Sequence, residues 1–219
     1  MRELRYKTRA AASGQTTSMV VLVHGYGADG SDLLGLADPL APHLPDTLFV
    51  APDAPEPCAG NPFGFQWSPI PWLDGSDETQ AAARFAASAA DLDAFLDRRL
   101  ANAGLTPDRL VLLGFSQGAM ISLHIAPRRP LPVAGVIAIS GRLMVPERLA
   151  AETVARPPVL LIHGDADPVV PFGDMAAAGK ALVAAGFDTY GHVMTGTGHG
   201  IAPDGLGAAL QFLKQRLAG

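Results

Sequence analysis

Apolar residues along this chain follow two rhythms. Short runs with almost no polar interruption recur at Met19–His24, Thr47–Ala51, Arg109–Gly114, Val133–Ser140, Val159–His163 and Thr189–Met194. A strand with one wet face alternates apolar and polar residues; these do not, so each reads as a strand covered on both faces, as in a parallel sheet. Between them lie segments with helical spacing, near Asp32–Leu40, Asp77–Ala103, Gln117–Ala126, Gly173–Ala185 and Pro203–Leu217. The longest places Phe85, Ala89, Leu92, Phe95, Leu96 and Leu100 on one stripe. Strands and helices in alternation predict an α/β fold, a doubly wound and mostly parallel sheet with helices on both faces. An antiparallel hairpin is expected near residues 2–12. No Ser/Gly/Pro-rich linker or charge run divides the 219 residues, so one domain over 1–219, without a large cap domain, is expected.

Composition narrows the partners. A net charge of −5 without any Lys/Arg cluster argues against a nucleic-acid ligand. The first residues, Met1–Lys7, lack the apolar stretch of a secretory leader. No apolar run reaches the length of about 18 residues that a bilayer span needs. Cys58 is the single cysteine, which rules out an intrachain disulfide and fits a reducing compartment. The expected location is therefore cytoplasmic, and a homodimer is left open.

In open parallel sheets, ligands sit beyond the carboxyl ends of the strands, so the residues just past each strand matter most. After Met19–His24 comes Gly25-Tyr26-Gly27-Ala28-Asp29-Gly30. After Arg109–Gly114 comes Phe115-Ser116-Gln117-Gly118, a G-x-S-x-G pattern at a strand-to-helix junction that thrusts a serine hydroxyl out at the sheet edge. The Val159 run leads into His163-Gly164-Asp165-Ala166-Asp167-Pro168, and the last run into Gly196-Thr197-Gly198-His199-Gly200. Ser, then Asp, then His is the chain order of α/β-hydrolases.

The chemistry needs all three. A serine hydroxyl is a weak nucleophile at neutral pH, so an imidazole must take its proton during attack. A carboxylate holds that imidazole in the right tautomer and stabilises the imidazolium. Backbone N–H groups must already point at the developing oxyanion; the expected donors are the amides of Tyr26 and Gln117. Of the six histidines, His43 lies in a Pro-rich loop, His124 on the helix behind Ser116 and His192 in a strand. His24 and His163 close strands beside glycines and read as structural imidazoles. His199 alone lies between glycines after the last strand and is the expected base. Spacing leaves Asp165 and Asp167 both open as the acid; Pro168 favours an extended backbone at Asp167.

Together these segments resemble the acyl-protein thioesterase/carboxylesterase (phospholipase-carboxylesterase) branch of the α/β-hydrolases. The likeness rests on His24-Gly25-x-Gly27-Ala28-Asp29-Gly30, Pro52-Asp53-Ala54-Pro55, Gly114-Phe115-Ser116-Gln117-Gly118, Ser140-Gly141, His163-Gly164-Asp165-x-Asp167-x-Val169-Val170-Pro171 and Gly198-His199. It implies Ser116 as nucleophile, Asp167 as orienting acid and His199 as base. It also implies no cofactor or metal, and a small-molecule or lipid acyl ester, or an acylated protein, as substrate. This chain departs from the family in having Tyr26 for Leu, Ala119 for a second glycine, and Trp67-Ser68 where a Trp-Phe or Trp-Tyr pair is common.

Aromatic residues cluster in the Pro/Gly-rich connection Asn61–Leu73, which holds Phe63, Phe65, Trp67 and Trp72. Trp67 and Phe65, with Leu143, are expected to wall an apolar acyl groove beside Ser116. The strongest rival comes from Gly25-Tyr26-Gly27-Ala28-Asp29-Gly30, which matches G-x-G-x-x-G, with Asp53 at about the dinucleotide-binding distance of twenty residues. A nicotinamide-dependent oxidoreductase would leave the Ser, Asp and His motifs without a role, and Asp53 reads better as a structural acid.

Overall fold

The computed structural model describes residues 1–217. Its strands are β1 (Tyr6–Arg9), β2 (Ser18–Val23), β3 (Thr47–Pro52), β4 (Glu56–Cys58), β5 (Asn61–Gln66), β6 (Leu110–Phe115), β7 (Gly135–Ile139), β8 (Val159–Gly164) and β9 (Thr189–Met194). The α-helices are α1 (Gly30–Leu34), α2 (Ala37–Leu40), α3 (Pro71–Asp74), α4 (Glu78–Ala103), α5 (Gln117–Ile125), α6 (Pro146–Glu152), α7 (Gly173–Ala184) and α8 (Pro203–Leu217). Seven strands form one sheet in the order β1-β3-β2-β6-β7-β8-β9, parallel throughout except for β1. β4 and β5 make a separate antiparallel hairpin.

Successive residues of a strand face opposite sides of a sheet, and the uninterrupted apolar runs therefore feed two cores. Met19, Val21, Val23, Leu110 and Leu112 face the layer formed by α4, α5, α6 and α7. Val20, Leu22, Val111 and Leu113 face α1, α2 and α8. The long α4 starts where the Asp77 carboxylate accepts the Gln80 N–H at 3.0 Å, and stops at left-handed Gly104.

The order in which strands are added reverses at β2: the chain moves outward from β2 to β3, then returns to the other side of β2 with β6. That switch point opens the crevice where the loops after β2 and β6 meet.

Four local expectations differ from the structure. No hairpin forms near residues 2–12. β1 alone pairs with β3, Tyr6 opposite Pro52 and Arg9 opposite Phe49, covering an edge that would otherwise be open. The Asp32–Leu40 segment is broken at Gly35 into α1 and α2. The supposed loop after β3 contains the β4–β5 hairpin, whose Pro57 and Pro62 are tolerated because it is a two-stranded edge structure. Finally, α6 occupies the connection between β7 and β8.

Candidate active site

Ser116 follows β6 and precedes α5 with φ 53° and ψ −118°, a backbone conformation that costs an L-residue energy. The surroundings over-determine it. Gly114 and Gly118 pass so close to neighbouring backbone that a β-carbon would lie 2.3 Å from the Gly118 carbonyl oxygen and 1.9 Å from that of Val23, respectively. The Ser116 N–H is held by the Ile139 carbonyl at 2.8 Å, and its carbonyl accepts the Met120 N–H at 3.1 Å. Strand β6 thus hands its last residue into the helix with the hydroxyl turned towards the loops beyond the sheet.

Those loops bring two partners. His199 Nε2 lies 2.9 Å from Ser116 Oγ, and His199 Nδ1 lies 2.8 Å from Asp167 Oδ2. A carboxylate only accepts, so Nδ1 carries the proton and Nε2 presents its lone pair to the serine hydroxyl. The other oxygen, Asp167 Oδ1, accepts the backbone N–H groups of Val169 and Val170 at 2.8 and 2.9 Å. Its side chain is fully buried. Burial works to raise its pKa, but the hydrogen bonds from His199, Val170 and Val169 together hold the carboxyl below the usual aspartate value. The His199 ring rests against Phe115, centroids 4.9 Å apart.

Asp165 takes a different job: its carboxylate accepts the Gly196 N–H at 2.6 Å and braces the histidine loop. His163 is buried beneath. Its Nε2 donates to the Val170 carbonyl at 3.0 Å and stands 3.3 Å from Asp167 Oδ2.

The loop after β2 is equally determined. His24 is buried, and its Nε2 accepts the Ala54 N–H at 2.9 Å, so the ring proton sits on Nδ1 and donates to the Gly25 carbonyl at 2.7 Å. Burial lowers the His24 pKa, in keeping with a neutral ring. Gly25 lies against Ser116; a β-carbon there would stand 3.2 Å from Ser116 Cβ. The hairpin grips the same loop: Gly27 N–H donates to the Phe65 carbonyl at 2.9 Å, and Asn61 Nδ2 donates to the Gly27 carbonyl at 2.8 Å. Tyr26 reaches beneath the hairpin turn, where burial and the Cys58 thiol push its phenol up to about 12.

A hydroxyl, an imidazole and a buried carboxylate in hydrogen-bonded series are able to generate a serine nucleophile. Residues 7–217 match the phospholipase/carboxylesterase family of α/β-hydrolases. The chain belongs to that family. It is 31% identical over 197 residues to esterase YpfH of Escherichia coli, spanning 90% of this chain and 82% of that protein. It is 28% identical over 231 aligned positions to acyl-protein thioesterase 1 of Saccharomyces cerevisiae, covering both in full. Esterase PE8 superposes with a TM-score of 0.93 at 45% identity, over 99% of this chain and 100% of that one. The chain is accordingly a carboxylic ester hydrolase of the esterase and thioesterase type.

Within this phospholipase/carboxylesterase fold, the expected groove wall needs correction. Trp67 has 0% exposure, so its ring cannot touch a substrate; the indole N–H donates to the His24 carbonyl at 2.9 Å, and the ring supports the site from behind. Phe65 lies under the Arg5 guanidinium, 5.0 Å from the ring centre, in a hollow lined by Glu3, Lys7, Asp29 and Asp53 rather than by Ser116. Leu143 is largely covered in the main core. The aromatics of this segment that do stand out are Phe63, at 89% exposure, and Trp72, 75% exposed on α3 and stacked by Arg142 at 5.4 Å. The dinucleotide reading also loses its ground. The glycine loop is filled by the hairpin, and Asp53 accepts the Gly30 N–H at 2.9 Å while pairing with Arg5.

Proposed function

We propose that this esterase works through an acyl-enzyme on Ser116. Ser116 Oγ attacks the substrate carbonyl while its proton passes to His199 Nε2, and Asp167 stabilises the resulting imidazolium. The amides of Tyr26 and Gln117 hold the oxyanion of the tetrahedral intermediate. Its collapse expels the alcohol or thiol, which takes the proton from His199. Water, deprotonated by the same imidazole, then attacks the acyl group, releasing the carboxylic acid and restoring Ser116.

The observation that carries this reading is the unbroken path from Asp167 through His199 to Ser116, with links of 2.8 and 2.9 Å. Between β7 and β8 stands only the seven-residue α6, which supports an open site for accessible acyl esters. An acyl-protein thioesterase or lysophospholipase is the second reading. It is favoured by the yeast relative and by the exposed apolar side chains of Phe63, Trp72 and Leu73. A cytoplasmic location is supported by the free, buried Cys58. No helix among the described residues is long and apolar enough to cross a membrane.

The test is an acyl-chain series of p-nitrophenyl esters and matched thioesters with wild type and Ser116→Ala. Loss of the nucleophile should cut kcat by at least about a thousandfold, and a fluorophosphonate should label Ser116 alone. Retention of more than about a tenth of the activity would overturn the assignment. A strong preference for long-chain thioesters would select the second reading.

A further inference from the structure

The two amides that receive the oxyanion belong to different segments, the loop after β2 and the first turn of α5. The β2–β6 ladder ends at Val23 opposite Gly114, before either donor is reached. We infer that the buried side chains of Gln117 and Trp67 form a crossbar that sets the spacing of these two amides, and that both act on the reaction as positioning residues. The inference rests on the reading of Tyr26 and Gln117 given under Proposed function.

One residue touches both segments. The Trp67 backbone N–H donates to Gln117 Oε1 at 2.8 Å, while the Trp67 indole N–H donates to the His24 carbonyl at 2.9 Å. Gln117 Nε2 donates in turn to the Ser68 carbonyl at 2.8 Å and reaches Ser68 Oγ at 3.2 Å. The amide orientation is forced, because a backbone N–H can only donate and a carbonyl can only accept. On the opposite side of the crevice, His24 pins the Gly25 carbonyl at 2.7 Å. In a planar trans peptide the N–H points away from the C=O, so this bond aims the Tyr26 N–H away from the His24 ring. The indole therefore grips the peptide next to the one that carries the donor. At the other end, Gln117 carries the second donor on its own backbone, at a helix start where the N–H has no intrahelical acceptor.

Packing alone does not call for this arrangement. Gln117 is 5% exposed and Trp67 0%. Burying a primary amide is costly unless each polar atom is bonded, and an apolar side chain of similar volume would fill the same space without that cost. Here every polar atom of the Gln117 amide is engaged, and all of its bonds run to the segment that holds the other loop. Water does not reach these bonds to replace them. A donor moved by about 1 Å loses a large part of its value to the transition state, on the order of 10²-fold in rate.

The experiment compares a matched oxoester and thionoester with the full-length protein. A thiocarbonyl sulfur is a weak hydrogen-bond acceptor, so misplaced oxyanion donors penalise the oxoester, whereas damage to the nucleophile or the general fold lowers both. Gln117→Leu keeps the backbone amide and removes the side-chain bonds. Its oxoester kcat should fall about ten- to a hundredfold with KM changed by less than about twofold. Thionoester turnover should fall far less, reducing the oxo/thiono ratio of kcat/KM about tenfold or more. Gln117→Glu, which still accepts from Trp67, should recover part of the ratio. Trp67→Phe, which removes the indole N–H together with part of the buried ring volume but keeps the backbone N–H to Gln117, should shift the ratio in the same direction and, with its own thermal melt recorded, provides the measurement if Gln117→Leu melts below the assay temperature. Parallel losses on the two substrates, or an unchanged oxoester rate, would overturn the crossbar. Failure of the underlying reading would show differently: the wild type itself would then turn over oxoester and thionoester with nearly equal kcat/KM.

Discussion

Replacing Asp167 by Asn tests the proposed orienting role without emptying the site. Asp167 Oδ1 accepts two backbone N–H groups, from Val169 and Val170, at 2.8 and 2.9 Å. An asparagine must keep its carbonyl oxygen there, because the reverse orientation would set its NH₂ against two donors inside a buried site. The NH₂ then occupies the place of Oδ2, facing His199 Nδ1 at 2.8 Å and His163 Nε2 at 3.3 Å. It can only donate, so His199 must accept at Nδ1 and carry its proton on Nε2. In that tautomer the ring offers Ser116 a donor where an acceptor is needed. The expected loss is about 10⁴ in kcat, equivalent to about 5 kcal/mol of barrier.

KM should hold, since the carboxylate touches no substrate. The control is Asp165→Asn: its amide oxygen still accepts the Gly196 N–H, a contact of 2.6 Å in the wild type, and kcat should stay within about threefold. Steady-state kinetics on a p-nitrophenyl ester, beside a thermal melt of each variant, decide the matter. If Asp167→Asn kept a tenth of the activity, or Asp165→Asn lost more than Asp167→Asn, the acid would be misassigned. The same variant has a signature in acid. Burial tends to raise the Asp167 pKa, yet its hydrogen bonds bring it below the unfolded value of about 3.9. Its stabilisation is then full above about pH 4 and lost as pH falls through the lower folded value, so the Asn variant should lack that part of the acid slope.

Two further substitutions probe the framework. Burial, and then the neighbouring Arg128, push the His124 imidazole down to about 4, and its Nδ1 is buried without a partner. The unfolded chain takes that proton at about 6.5, so stability present above pH 6.5 drains away between there and about 4, by no more than about 3 kcal/mol. His124→Leu should flatten this part of the plot of urea midpoint against pH; His24, also lowered by burial, keeps the slope from vanishing. An unchanged slope would remove His124 from the account. Gly118→Ala would set a β-carbon 1.9 Å from the Val23 carbonyl oxygen, inside the β2–β6 junction. Calorimetry should find Tm lowered by about 10 °C or more, the effect of roughly 3–5 kcal/mol in a chain of this size; a shift under about 2 °C would mean that the junction yields freely.

The strands were legible because a sheet covered on both faces leaves unbroken apolar runs, and the side chains that meet in the candidate site were legible because they lie directly past the ends of those runs. What escaped was decided by contacts distant in sequence. The β4–β5 hairpin has the Pro and Gly content of a loop, and it exists because Gly27, Ala28 and Asn61 bond it to the loop after β2. Trp67 showed an aromatic residue near the nucleophile motif but not the direction in which it faces, and its indole turned out to be a buried donor to His24. The sequence motif points to the backbone of Gln117, while its side chain carries an equally specific set of bonds.

Strand spacing explains why the imidazole of His199 reaches Ser116 from a glycine-rich loop. Neighbouring strands lie about 4.8 Å apart. Because β7 stands between β6 and β8, the root of the acid loop, which carries Asp165 and Asp167, is about 10 Å from the root of Ser116, and β9 begins its loop about 14 Å away. Neither root is within hydrogen-bond reach of Ser116, and the outermost loop must fold back over β8 to reach β6. It does so as one body with the acid loop. Ala166 N–H donates to the Thr197 carbonyl at 3.1 Å, Asp165 holds Gly196 N–H, and Gly164 allows an approach in which a β-carbon would stand 2.2 Å from Thr197 O. The position of His199 over Ser116 is thus set through the acid loop as a whole, by Asp165 and Gly164 as well as by the carboxylate of Asp167.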